Sequence, residues 1–152
     1  VTVADLLVNP QLRGRYPTDR LEGCETALLL FAAGFYGRND GAWVAEAGIR
    51  ATCVDLDTEK LSEMQRYYPA SWDFVYDDVF AFALLTGRYD LVSVDPPSAL
   101  SKVCLERRSL WTRLAKRQVV LGSQYETIKG YDLTNIEVIP RNKESVWLAW
   151  AP

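Results

Sequence analysis

The chain has 152 residues, 49% of them apolar and 24% charged, and a formal charge of −3 from 17 Lys and Arg against 20 Asp and Glu. That is the size of one domain with an ordinary globular core, which excludes disorder as the main state. The longest apolar stretch, 27–36, falls well short of the ~20 residues that a membrane-crossing helix needs. With no histidine, Ser-His-Asp relays, Cys-His pairs and imidazole metal ligands are excluded as well.

Cys24, Cys53 and Cys104 are widely spaced and odd in number. They suit neither a zinc cluster nor a disulfide framework and fit a reducing cytoplasm. The slight acidity does not announce a nucleic-acid binder. The chain opens at Val1 rather than Met, which reads as a trimmed start, and no signal-peptide pattern is legible.

Residues 1–24 read as a lead-in segment and 25–152 as the domain. The apolar run at 26–33, ended by Gly34, predicts a strand buried on both faces. A helix over 40–47 comes next, with Gly48 as its stop. Residues 50–56 are β-rich. Asp57 is placed to cap a helix over 58–67 that buries Leu61, Met64 and Tyr68 and stops before Pro69. A strand at 72–76, a helix at 79–85 and a strand at 89–94 succeed it, the last ended by Pro96-Pro97. Residues 98–117 read as the longest helix, apolar on one side and carrying Lys102, Arg113, Lys116 and Arg117 on the other. A fifth strand is expected at 118–121. Segments 136–140 and 145–150 flank the polar turn Arg141-Asn142-Lys143-Glu144 as an antiparallel hairpin. Strand and helix alternating, then a hairpin, predict a single α/β domain: a seven-stranded, mostly parallel sheet, with the last strand antiparallel beside the fifth.

Open α/β sheets bind ligands outside the carboxyl ends of their strands. Here those ends carry Gly34-Phe35-Tyr36-Gly37, then Asp55 and Asp57, then Asp77 and Asp78, then Asp95-Pro96-Pro97. Glycines allow backbone to approach a ligand, and a carboxylate can accept both hydroxyls of a ribose. Singly, each is read as readily as a turn or a helix cap. Their coincidence at four strand ends points to a cofactor site.

At these residues the sequence resembles the class I S-adenosylmethionine-dependent methyltransferases, over about 25–150. Leu30-Phe31-Ala32-Ala33-Gly34 resembles the first motif of their FAG members, and Val54-Asp55-Leu56-Asp57 the acidic second motif. Asp78-Val79-Phe80-Ala81-Phe82 is similar to the third, and Asp95-Pro96-Pro97 to the (D/N)PP(Y/F) motif of enzymes that methylate amino nitrogens. The resemblance implies S-adenosylmethionine as cofactor, contacted by Phe31, Ala33, Gly34, Gly37, Asp55 and Asp78. Gly34 and Gly37 would shape the bed of its methionine part, Asp55 would hold the ribose hydroxyls and Asp78 the adenine amino group. Asp95 and Pro96, followed by Pro97, would orient a target amine. Ser98, Lys102 and Arg113 are the candidate substrate contacts, for RNA or DNA, with no metal and no membrane. Such chemistry suits a histidine-free site, because the protein mainly aligns a nucleophile with an already activated methyl group.

Three departures stand out. The span from Phe31 to Gly48 is longer than in the FAG families, Leu29 stands where they carry an acid, and Ser98 replaces their base-stacking aromatic residue. Ser98 also occupies the place of the nucleophilic Cys of the cytosine enzymes, which argues against carbon methylation. Two readings stay open: an active methyltransferase, and a domain of that fold that has lost catalysis and serves as a binding or scaffolding partner. A nicotinamide-dependent oxidoreductase is disfavoured, since no G-x-G-x-x-G comes after the first strand.

Overall fold

The computed structural model describes residues 16–33 and 37–152, with backbone alone at 37–39. Strands β1 (Thr26–Leu30), β2 (Arg50–Asp55), β3 (Asp73–Tyr76), β4 (Tyr89–Val94), β5 (Ala115–Gln124), β6 (Glu137–Pro140) and β7 (Ser145–Trp150) form one sheet in the order β3-β2-β1-β4-β5-β7-β6. The first five run parallel, and β7 lies antiparallel between β5 and β6. The expected architecture is therefore present, including the antiparallel last strand beside the fifth.

Alternation along the strands explains the two cores. Leu29, Leu91, Val120 and Trp147 point to one face, beneath helix α1 (Gly37–Glu46), and Leu28, Leu30, Val92, Val94 and Leu121 to the other. Helices α2 (Thr58–Met64) and α3 (Val79–Leu85) connect the next strands. Asp57 caps α2 as expected, its Oδ1 accepting from the Lys60 N–H at 3.1 Å. Leu61, Met64 and Tyr68 are buried, and Tyr68 stacks on Trp72 with ring centroids 4.7 Å apart.

The single helix expected over 98–117 is not there. A 3-10 turn (Ser98–Leu100) leads into α4 (Ser101–Glu106), Arg107 interrupts, and α5 (Arg108–Leu114) ends where β5 begins at Ala115. The break is stable because side chains take up the carbonyls it frees. The Trp111 indole donates to the Cys104 carbonyl at 2.9 Å, and Arg108 donates to that of Leu105 at 3.1 Å. Lys116 and Arg117 consequently sit on β5, at an irregularity between the Tyr89–Ala115 and Leu91–Gln118 pairs. The basic stripe expected along one helix is split between two helices and a strand. A short helix α6 (Tyr125–Ile128) after β5 had no counterpart in the sequence reading.

Strand β1 also ends earlier than expected, at Leu30. Phe31 turns the chain with a left-handed φ of 59°, a conformation that costs a residue with a Cβ roughly 1–2 kcal/mol. Among the described residues no helix is long and apolar enough to cross a membrane.

Candidate functional site

Strand order reverses at β1, whose neighbours are β2 on one side and β4 on the other. Crossovers leave the sheet in opposite directions at such a point, and a crevice opens beyond the carboxyl ends of the strands. A cavity of about 570 Å³ lies there, walled by residues that come after β1, β2 and β4 and by the β5 and β6–β7 ends.

On the β1–β2 side, half-buried Asp55 accepts from two backbone N–H groups, Ala33 to Oδ2 at 2.9 Å and Asp57 to Oδ1 at 3.0 Å. Both carboxylate oxygens are thereby aimed, and each keeps acceptor capacity. Phe31 forms an aromatic wall of the cavity. Its ring meets Phe80 edge-on at 6.1 Å, Phe80 leans on Trp111 at 5.9 Å, and the Arg107 guanidinium covers Phe80 at 4.9 Å.

On the β4 side, Asp95, Pro96, Pro97 and Ser98 line the cavity in sequence. The Asp95 N–H donates to the Leu30 carbonyl at 3.2 Å, which ties this loop to the end of β1. Its carboxylate is buried and accepts from Arg141 Nη1 at 2.8 Å. Burial pushes the Asp95 carboxyl above the usual range, and the Arg141 charge and hydrogen bond pull it back.

A second buried carboxylate lies behind this pair. Asp40, one turn into α1, accepts from Ser93 Oγ at 3.1 Å, and Ser93 in turn accepts from Tyr16 Oη at 3.1 Å. Among the described residues Asp40 Oδ1 has no hydrogen-bond partner. Burial holds Asp40 well above the usual carboxylate range and the Asp95 charge adds to this, while Arg141 and Ser93 oppose it. Asp40 therefore binds its proton more tightly in the native chain than in the unfolded one. Between the two values the native state holds the extra proton, so stability falls as pH rises from about 4 through the raised native value. Asp40→Asn should flatten that fall, as read by urea denaturation at a series of pH values. A slope unchanged from the parent would show that Asp40 does not carry it.

The structure thus brings Phe31, Ala33, Asp55, Asp95, Pro96, Pro97 and Ser98 to one cavity. Gly37 opens α1; Gly34, with Phe35 and Tyr36, lies outside the described residues. Asp78 is exposed beyond β3, outside the cavity lining, and caps α3 by accepting from the Ala81 N–H at 2.9 Å. Lys102 and Arg113 are exposed on α4 and α5, also away from the lining, and Lys102 lies 3.9 Å from Glu106. Leu29, where an acid was the alternative, is fully buried in the core. Cys104 is buried with its thiol pushed up to about 12 by desolvation, so it offers no thiolate. Among the described residues no group of three or more His, Cys, Asp and Glu side chains could hold a metal ion.

Arg141 and Asp40 escaped the sequence reading. Arg141 sits in a polar run that reads as a solvated turn, and Asp40 at a helix start where an acid reads as a cap. A signal that could have hinted at the pair of Arg141 and Asp95 is Gly122, which follows the apolar run 119–121 and marks close approach of another group, but the expected strand ended at 121.

No family model and no curated protein matches the chain. Solved structures do. A hypothetical protein of Thermus thermophilus superposes with a TM-score of 0.65 at 19% identity, over 86% of this chain and 77% of that one. A putative RNA methyltransferase from Pyrococcus horikoshii gives 0.60 at 15%, over 86% and 74%. A methyltransferase from Thiobacillus denitrificans, solved with S-adenosyl-L-homocysteine, gives 0.56 at 18%, over 80% and 52%, so the chain spans about half of that protein. At these identities what is shared is the fold: this chain has the Rossmann-like fold of S-adenosylmethionine-dependent methyltransferases.

Proposed function

We propose that the chain binds S-adenosylmethionine and directs its methyl group to an amino nitrogen. The observation that carries this is a single cavity at the strand-order reversal with an aimed carboxylate, Asp55, on one side and the Asp95-Pro96-Pro97 loop on the other. The residues suit the cofactor. Asp55 retains lone pairs for two vicinal hydroxyls, the Phe31 ring offers an apolar wall, and the volume admits a nucleoside with its amino-acid arm. Asp78, which the resemblance would give the adenine amino group, caps α3 outside the cavity lining, so that role would need the adenine to extend past the cavity toward the β3 end; Ala33 and Gly37 flank the place of the methionine part.

When bound, the cofactor supplies an electrophilic methyl on its sulfonium. The chain's own task is alignment. Asp95 and the Pro96 carbonyl accept the N–H groups of the acceptor and turn its lone pair into the cavity. The buried Cys104 thiol leaves no nucleophile for attack on a pyrimidine carbon.

The acceptor class we favour is nucleic acid. Solved structures of this fold include the putative RNA methyltransferase, TrmN from Thermus thermophilus and a fibrillarin/Nop5p complex. Ser98 at the cavity and Lys102 and Arg113 on the next two helices are the proposed contacts, and a cytoplasmic setting fits the free cysteines. Binding of RNA should weaken with salt, and Arg113→Glu should give a shallower slope. No RNA or DNA binding at low salt would make a small-molecule or protein amine the better acceptor.

Calorimetry with S-adenosylmethionine, S-adenosylhomocysteine and NAD tests the cofactor, and transfer of a tritiated methyl group tests the reaction. Binding of both sulfur compounds but not NAD is the expected result. Binding without transfer to any acceptor would favour a scaffolding role, which the apolar Leu29 and the exposed Ser98 would suit.

A further inference from the structure

Arg141 is restrained as few surface-loop arginines are. Its guanidinium donates through Nη1 to Asp95 at 2.8 Å and through Nε to Ser145 Oγ at 3.1 Å, and it lies 4.4 Å from the Trp147 ring centroid. Its backbone N–H donates to the Ser145 carbonyl at 3.1 Å. Both side chains of the pair are only 4% exposed. Space for them comes from β5, where a Cβ at Gly122 would collide with Asp95 Oδ1 and stand 3.0 Å from Arg141 Nη1.

A buried ion pair is seldom the most stable way to join two strands. Apolar residues of similar volume commonly do as well or better, because two charges must first leave water. Here the pair joins the loop after β4, which borders the cavity on the acceptor side, to the β6–β7 turn, and Arg141 lines that cavity beside Asp95. Arg141 reaches Asp95 through Nη1 while its Nε is held by Ser145, so one planar guanidinium ties the carboxylate to the start of β7, which a lysine point charge cannot do.

We infer that Arg141 is the positioning residue of the acceptor loop: it locks the Asp95 carboxylate in one orientation and cancels its charge, so that the cavity floor receives an uncharged N–H group rather than an ammonium or guanidinium. This rests on the methyl-transfer reading above and narrows its acceptor. The other ionisable groups facing Asp95 from packed elements are Asp40 and Tyr16. Burial favours the neutral form of both, so they leave the pair's balance intact. Glu144 borders the cavity but is exposed, where water and salt screen it. An ammonium entering the site would give up its hydration to meet a carboxylate already matched, whereas an amino or amide N–H needs only an acceptor atom.

The test uses the full chain, with the Asp95 carboxyl followed by carbon NMR and methyl transfer followed with tritiated S-adenosylmethionine. In Arg141→Met the Asp95 titration should move up by ~1–3 pH units, the shift that a neighbouring opposite charge commonly imposes. Transfer at neutral pH should fall and recover in part as pH is raised. Arg141→Lys should hold the titration nearer to the parent while restoring transfer only partly. Gly122→Ala keeps both charges but displaces them. It should lower turnover by about 100-fold, the cost of a misplacement near 1 Å, with cofactor affinity unchanged; this variant keeps the test alive if Arg141→Met does not fold. In hydrolysates of methyl-depleted cell RNA and protein, label should appear on uncharged nitrogens. An unmoved Asp95 titration in Arg141→Met overturns the inference whatever the activity. Label on lysine or arginine overturns the charge rule alone. Absence of transfer by the parent chain contradicts the methyl-transfer reading beneath it, while the NMR titration still decides whether Arg141 holds Asp95.

Discussion

Asp95→Ala should abolish methyl transfer and destabilise the fold by about 3–5 kcal/mol, the usual cost of removing one partner of a buried ion pair. One residue has both effects because Arg141, only 4% exposed in its side chain, loses the carboxylate 2.8 Å from its Nη1. A tritium transfer assay reads the first effect and chemical denaturation the second. Replacing both partners, Asp95→Ala with Arg141→Met, should return much of the stability and none of the transfer. Stability lost without loss of transfer would mean that the loop after β4 is structural and that the acceptor is oriented elsewhere.

Asp55→Ala should lower S-adenosylmethionine affinity roughly 10- to 100-fold, since hydrogen bonds to a charged group contribute about 1.5–3 kcal/mol. The same substitution releases the Ala33 and Asp57 N–H groups, so part of the effect would come from a loosened turn after β1. Asp57→Ala is the control. It removes the α2 cap, costs the fold about 0.5–2 kcal/mol and should leave cofactor affinity near that of the parent. Calorimetry on the two variants separates a ligand from a cap. Equal loss of affinity in both would show that the turn, not the carboxylate, matters.

Most of the framework was legible because it is written in local patterns. An apolar run such as Ala27 to Leu30 reads as a strand buried on both faces, and Asp57 before Thr58 is a cap by chemistry. The Asp-Pro-Pro run after β4 was legible because proline ends a strand and forces the next residues into a loop. The features that stayed hidden depend on partners far along the chain. Nothing near Arg141 announces Asp95, which lies 46 residues away, and nothing near Asp40 announces Ser93 or Tyr16. The interruption at Arg107 was equally hidden. Its neighbours favour a continuous helix, and only the folded chain brings the Trp111 indole onto the Cys104 carbonyl. The basic stripe drawn from helical spacing failed for the same reason, because Lys116 and Arg117 were claimed by β5.

The most direct measurement is a structure of the full chain with S-adenosylhomocysteine. The ligand is expected in the cavity beyond β1 and β4, with its ribose hydroxyls on the Asp55 carboxylate and its sulfur facing the Asp95–Pro96 loop. Ligand bound away from Asp55, or a cavity that stays empty at saturating concentration, would contradict the proposed cofactor site.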